Sequence, residues 1–250
     1  MQHLHVGIVA SVTSYITIIS LYLLEGYNNL TGTLPMEISY LTSLFNLVIG
    51  NNKLGGTLPT SLPLISSLQR IDLTSNYIEG TFPIEFKFFR GRDITIGQNN
   101  LHGTIPSLSH LSSLKRFDLT QNQLSGTFPQ LPTSIHLLDL SQNNFTGTIP
   151  RSLGNFVTAT VIRLHGNRFQ GTLPNMFQQL HQLLYFSLNN NQFNGPIPTT
   201  LWSVSSLIVL SLGSNKFTGS IDGIGQLSST QELSLENNQL SGTIPYEIGT

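Results

Sequence analysis

Apolar residues return along this chain in short alternating runs, each followed at a fixed distance by an asparagine and then by Gly-x-apolar-Pro. The stretch Leu114–Pro129, LKRFDLTQNQLSGTFP, shows one full unit. Phe117 and Leu119 alternate with Asp118, which predicts a short strand with the two apolar side chains turned inward and the carboxylate turned out. After the proline, apolar positions lie three apart, as in Pro35, Ile38, Leu41, Leu44 and in Pro198, Leu201, Val204, Leu207. That spacing predicts a 3₁₀-like return segment with one inward face.

The asparagine of the unit recurs at Asn28, Asn52, Asn76, Asn99, Asn122, Asn143, Asn167, Asn191, Asn215 and Asn238, at spacings of 24, 24, 23, 23, 21, 24, 24, 24 and 23. It stands where the chain must turn away from the strand, leaving backbone N–H and C=O groups without ladder partners. A carboxamide can serve both kinds of group. Ten such residues in register predict an inward polar ladder, each rung costing roughly 1–3 kcal/mol if its partners were stranded. Gly126 suits unusual backbone dihedrals, and Pro129 ends the second extended run by removing a donor.

A period in the twenties with this leucine pattern is the signature of leucine-rich repeats, whose units stack into a quasi-linear solenoid because no unit can bury its own apolar face. The Gly-x-Ile/Leu/Phe-Pro tail further resembles the plant-specific class of that repeat, seen in ectodomains of receptor-like kinases, receptor-like proteins and polygalacturonase-inhibiting proteins. The resemblance covers roughly residues 16–250. It implies a right-handed α/β repeat solenoid, a horseshoe or twisted arc, with a concave parallel sheet, short 3₁₀ or irregular convex segments and little helix. It also implies an extracellular or cell-surface protein that binds a protein, peptide or glycan ligand, with membrane attachment through segments outside this chain. Several positions depart from the pattern. Asp222 replaces the proline, Pro196 replaces the threonine after the glycine, and Gly91, Ala159 and Thr230 replace the first leucine of their repeats. The 21-residue unit between Asn122 and Asn143 has almost no return segment.

Residues 1–250 are therefore expected to form a single solenoid of about ten repeats, both ends reading as truncated because neither carries a polar cap. Val6–Leu24 is an apolar run broken by Ser11, Thr13, Ser14, Thr17 and Ser20. Residues 1–24 read as a degenerate first repeat, with Ile18, Leu21 and Leu23 on leucine positions, or alternatively as a targeting segment. Lys and Arg number 11 against 12 Asp and Glu, giving a net charge of −1 and no basic footprint for nucleic acid. Cysteine is absent, whereas the caps of the plant class commonly carry pairs of it.

No catalytic motif, cofactor motif or metal-ligand spacing is present, which points away from an enzyme. The glycines of Gly166–Thr172, GNRFQGT, mimic a phosphate loop, but Thr172 stands where its lysine would be needed. Outward strand positions, by contrast, line up in columns. They bring Arg70, Asp72, Arg116, Asp118, Asp139, Arg163, His165 and Tyr185 to the expected concave face, with Leu137 and Val161 as an apolar centre. Arg and Tyr are the residue types that anchor interfaces. A second regularity is the row Thr33, Thr57, Thr81, Thr104, Thr127, Thr148, Thr172 and Thr243 after the repeat glycine. That row suggests an ice-binding or structural wall surface as an alternative, although a β-branched residue also simply suits a strand. Asn29-Leu30-Thr31 and Asn144-Phe145-Thr146 are N-glycosylation sequons.

Overall fold

The structure, a computed structural model, describes residues 26–246 together with the backbone of Leu21–Leu24. The expectation for residues 1–20 lies outside the described residues. The chain forms two compact units that meet in sequence within the short repeat: one runs to Leu124 and includes Pro129–Pro132, and the other takes Ser125–Phe128 and continues from Thr133.

Each repeat makes one coil with two short strands. In the first unit the leading strands are Leu21–Leu24, Leu44–Val48, Arg70–Asp72, Asp93–Thr95 and Arg116–Asp118, hydrogen-bonded in parallel in that order. In the second they are Leu137–Asp139, Val161–Arg163, Tyr185–Ser187, Val209–Ser211 and Glu232–Ser234. The Gly-Thr segments form the second strands, such as Arg168–Thr172 beside Gln192–Pro196. The return segments are 3₁₀ helices, for instance Met36–Tyr40, Ile84–Phe88 and Arg151–Asn155, and Thr199–Trp202 is a single α-helical turn. In the short repeat no helix forms between Phe128 and Leu137. Pro129, Leu131 and Pro132 are buried in the first unit there, and Ile135 in the second.

The ladder is an inter-coil clip. Asn122 Nδ2 donates to the carbonyl of Leu119 in its own coil (3.2 Å) and to that of Ile96 one coil back (3.0 Å). Its Oδ1 accepts the backbone N–H of Leu101, also one coil back, at 2.9 Å. The same arrangement recurs at Asn76, Asn99, Asn167, Asn191, Asn215 and Asn238. Asn52 joins Ile49 and Gly50 of its own coil and accepts from Leu30, and Asn143 donates to Leu140 and Ser141. Seven of the ten side chains are buried. Asn28, at the first rung, is exposed and donates to the carbonyl of Gly26 at 3.1 Å, the bond that Asn52 makes to Gly50; the coil before it lies outside the described residues.

A sharp backbone reversal sets up each rung. The residue just before every ladder asparagine is left-handed, with φ between +51° and +65°, and most of these residues are not glycine: Tyr27, Asn51, Ser75, Gln98, Gln121, Gln142, Asn190, Ser214 and Asn237. Such a conformation costs roughly 1–2 kcal/mol in an ordinary residue. It persists because it aims backbone N–H groups forward, as in Ser75 N–H to Gly97 O (2.9 Å) and Asn76 N–H to Gln98 O (3.2 Å). Side chain and main chain thus bond in opposite directions along the stack.

Apolar contacts reinforce the same repeat. In the second unit Phe145, Phe169, Phe193 and Phe217 stack with centroids 6.0–6.3 Å apart, inside the range where offset aromatic pairs are favourable. The backbone N–H of each of these four bonds the asparagine of the next coil. Where Gly91 replaces a leucine, the buried Phe89 ring occupies the space, and a Cβ added at position 91 would fall 2.4 Å from that ring and 2.6 Å from two carbonyl oxygens.

Asn122→Ala removes side-chain hydrogen bonds to four backbone groups, the N–H of Leu101 and the carbonyls of Ile96, Leu119 and Thr120, and is expected to lower unfolding free energy by about 3 kcal/mol. Gln123→Ala, next door and exposed, is expected to stay within about 0.5 kcal/mol of the parent. Chemical denaturation of the two variants checks this, and equal losses would refute the clip.

Candidate ligand-binding surface

The solvent face of each first sheet follows from strand alternation. In the first unit one column runs Asn46, Arg70, Asp93, Arg116 and the next Val48, Asp72, Thr95, Asp118. In the second unit the columns are Leu137, Val161, Tyr185, Val209, Glu232 and Asp139, Arg163, Ser187, Ser211, Ser234. The eight expected residues therefore do lie on strand faces or at strand ends. Arg70, Asp72, Arg116 and Asp118 belong to the first unit, and Asp139, Arg163, His165 and Tyr185 to the second.

The carboxylates and the cations play different parts. Asp72, Asp118 and Asp139 each accept the backbone N–H of the residue two places on, Thr74 (3.3 Å), Thr120 (3.2 Å) and Ser141 (3.0 Å). This side-chain turn closes the strand end. Asp139 is also the more buried partner of Arg163, its side chain 8% exposed against 42%, at 3.5 Å. It further accepts the Ser141 hydroxyl. Asp72 is held by Arg70 at 2.8 Å. Burial raises the Asp72 pKa, but the hydrogen bonds from Arg70 and Thr74 and the nearby guanidinium outweigh it, and the net shift is downward. Asp139 therefore fixes where the Arg163 guanidinium sits.

His165 lies in a third outward column, two residues past Arg163 and beyond the end of its strand, beside Asn189 one coil on. Ser187 Oγ donates to Asn189 Oδ1 at 2.7 Å and lies 3.2 Å from His165 Nδ1. With the serine hydrogen committed to Asn189, Nδ1 must carry the imidazole hydrogen, which leaves Nε2 as an acceptor. Burial pushes the His165 pKa below 6.5, Asp139 pulls it up and Arg163 pushes it down. The neutral tautomer is thus the ordinary state near pH 7. The solvent face of the second unit accordingly offers an apolar row, Leu137, Val161, Tyr185 and Val209, edged by a fixed guanidinium and a histidine acceptor. Among the described residues no cluster of His, Cys, Asp and Glu could hold a metal ion, and no helix is long and apolar enough to cross a membrane.

The second sheet carries the threonine row. All eight threonines are exposed, but the methyl groups of Thr33, Thr57, Thr81, Thr127, Thr148 and Thr172 are set against glycines of the next coil. A Cβ built on Gly56, Gly171 or Gly195 would lie 2.6, 2.9 or 2.8 Å from the Cγ2 of Thr33, Thr148 or Thr172. These glycines also have positive φ, +69°, +79° and +70°. Threonine and glycine interlock coil to coil, which gives the row a packing role of its own.

The family model described as the EGF-like domain-containing protein ComC LRR domain matches residues 64–169, and the Leucine Rich Repeat model matches residues 182–204 and 229–250. The chain is a leucine-rich repeat protein. Among solved structures, this repeat protein is similar to the plant peptide hormone receptor RGFR1 in complex with RGF2, at 32% identity and a TM-score of 0.84, over 87% of this chain and 36% of the receptor. A Leptospira interrogans LRR protein aligns at 30% identity and a TM-score of 0.71, over 86% of this chain and 54% of that one. A plant ice-binding protein aligns at 22% identity and a TM-score of 0.68, over 89% and 73%, a likeness of fold alone. The leucine-rich repeat chain thus spans little more than a third of the hormone receptor's length. No curated protein gives a significant match.

Because the folded His165 has a pKa below its unfolded value, the unfolded chain takes up the proton first as pH falls. Its contribution to stability is complete above about pH 6.5 and is lost as pH falls toward the folded pKa. His165→Gln should therefore flatten the acid side of the stability curve. Denaturant midpoints from about pH 7.5 down to about pH 5 measure this, and parallel curves for parent and variant would contradict the shift.

Proposed function

We propose that this leucine-rich repeat protein is a non-enzymatic recognition module, part of a larger extracellular or cell-surface protein, that binds an extended peptide or protein segment along the strand face of its second unit. The observation that carries the reading is the apolar row Leu137, Val161, Tyr185, Val209 running beside Arg163, whose guanidinium is held by the buried Asp139. An apolar strip bordered by ordered polar groups is the anatomy of an interface. Tyr and Arg supply much contact area for little lost freedom. Similarity to a receptor solved with a peptide hormone supports a peptide over a glycan as the ligand class. Arg70, Asp72, Arg116 and Asp118 lie on the strand face of the first unit taken by itself.

Roles divide within the site. Arg163 offers charge-assisted donors to a ligand carboxylate or carbonyl, Tyr185 an amphipathic ring, and His165 Nε2 an acceptor for a ligand N–H. Asp139 and Ser141 position the arginine. Replacing Arg163 and Tyr185 together with alanine should weaken binding of the physiological ligand at least tenfold, about 1.4 kcal/mol, with little change in thermal stability. Titration of the purified chain with candidate peptides, followed by the double variant, measures it. Loss of binding on mutating Thr148 and Thr172, with the Arg163–Tyr185 pair silent, would transfer the function to the threonine row.

A further inference from the structure

The first unit has a cleft away from the strand face. It has a volume of about 500 Å³ and lies between Lys87–Arg90, at the end of the 3₁₀ helix Ile84–Phe88, and His110–Ser113 in the next coil. That volume falls within the roughly 300–1,000 Å³ typical of small-molecule sites. Its existence follows from the local sequence. The return segment after Pro106 forms turns where its neighbour forms a 3₁₀ helix, and the buried side chains of Phe89 and Leu111 make an apolar floor.

The walls of the cleft are cationic. Lys87, Arg90 and His110 line it with the Ser112 and Ser113 hydroxyls, and no carboxylate does. Lys87 Nζ sits 4.9 Å above the Phe88 ring, a contact that holds an ammonium group without neutralising it. His110 Nε2 lies 2.6 Å from the Lys87 carbonyl oxygen and donates to it, tying the two sides together. Among the described residues neither Lys87 nor Arg90 forms an ion pair. Residues 87–116 hold five of the chain's 11 Lys and Arg and only one acidic residue, Asp93, in a protein of net charge −1. Arg92 and Lys115 sit next to the cleft in sequence, joined by a backbone bond of 2.7 Å from Lys115 N–H to Arg92 O.

We propose that this cleft binds a small multivalent anion, a molecule carrying two or more phosphate or sulfate groups. Unpaired guanidinium and ammonium groups are the side chains that recognise such groups, the first by paired hydrogen bonds and the second as a point charge. The serine hydroxyls add neutral donors. A small ligand fits better than a long polyanion, because the residues outside 87–116 carry a net charge of −5 and repel an extended chain.

Calorimetric titration of the full chain with inorganic tripolyphosphate, with a sulfated disaccharide and with an uncharged disaccharide tests the assignment. At least one anion should bind saturably, more weakly as salt rises, and the uncharged sugar should not bind. Binding of tripolyphosphate alone identifies a phosphorylated ligand, and binding of the disaccharide alone a sulfated sugar. The double substitution Lys87→Gln, Arg90→Ala should weaken binding at least tenfold with the thermal midpoint unchanged, while Arg168→Ala in the second unit should leave it intact. Failure of both anions to bind, or equal loss in Arg168→Ala, would overturn the proposal without touching the Arg163–Tyr185 surface.

Discussion

Everything in this chain depends on a turn that cannot satisfy its own backbone. A coil of about two dozen residues ends its strand with N–H and C=O groups facing inward, and burying each of them unpaired would cost roughly 1–3 kcal/mol. The asparagine resolves this by reaching backward, with Oδ1 on an N–H and Nδ2 on a carbonyl of the preceding coil. The left-handed residue before it turns main-chain donors forward. Each turn is therefore joined to both neighbours by different atoms, and coils are stable only as members of a stack.

Side-chain packing follows that frame. Threonine methyls fit against glycines of the next coil, and the phenylalanines of the second unit stack beside the asparagine rungs. Departures are locally compensated: Phe89 occupies the space vacated at Gly91, and Ala159, 1% exposed, is simply enclosed. Function is then free to reside on outward positions, which the frame orders without constraining their chemistry.

The strands, the ladder and the repeat class were legible in the sequence because each is a choice repeated about ten times, and periodicity reveals such choices. The left-handed positions were not, since uncharged polar residues such as Tyr27, Ser75, Gln98 and Asn190 are common in ordinary conformations too, and the left-handed one is imposed by the bonds on either side. Nor was the direction of the clip, because spacing alone cannot tell an amide that closes its own turn from one that reaches back a coil. At the strand face, alternation places Arg70, Arg116, Arg163 and Tyr185 outward. It could not separate exposed Arg163 from buried Asp139 in the same column, where a turn-closing hydrogen bond decides. The column holding His165 and Asn189 was readable from its place two residues before each asparagine, although the strand ends before it. The cationic cleft left no periodic trace, because it exists where one return segment fails to form the helix its neighbour forms.

The reach of the asparagine clip bears on how such a chain can change its length. Its bonds to the preceding coil span only 21 to 27 residues, as from Asn122 to Leu101 and from Asn76 to Ile49. Duplicating or deleting a whole repeat brings an identical donor and acceptor set into the same register, and every rung closes again without compensating mutations elsewhere. Insertion of a partial repeat before the turn would instead carry the asparagine away from its partners. Genetic variation in this protein is thus channelled toward whole-unit steps, and the number of coils can drift while the chemistry of each is retained.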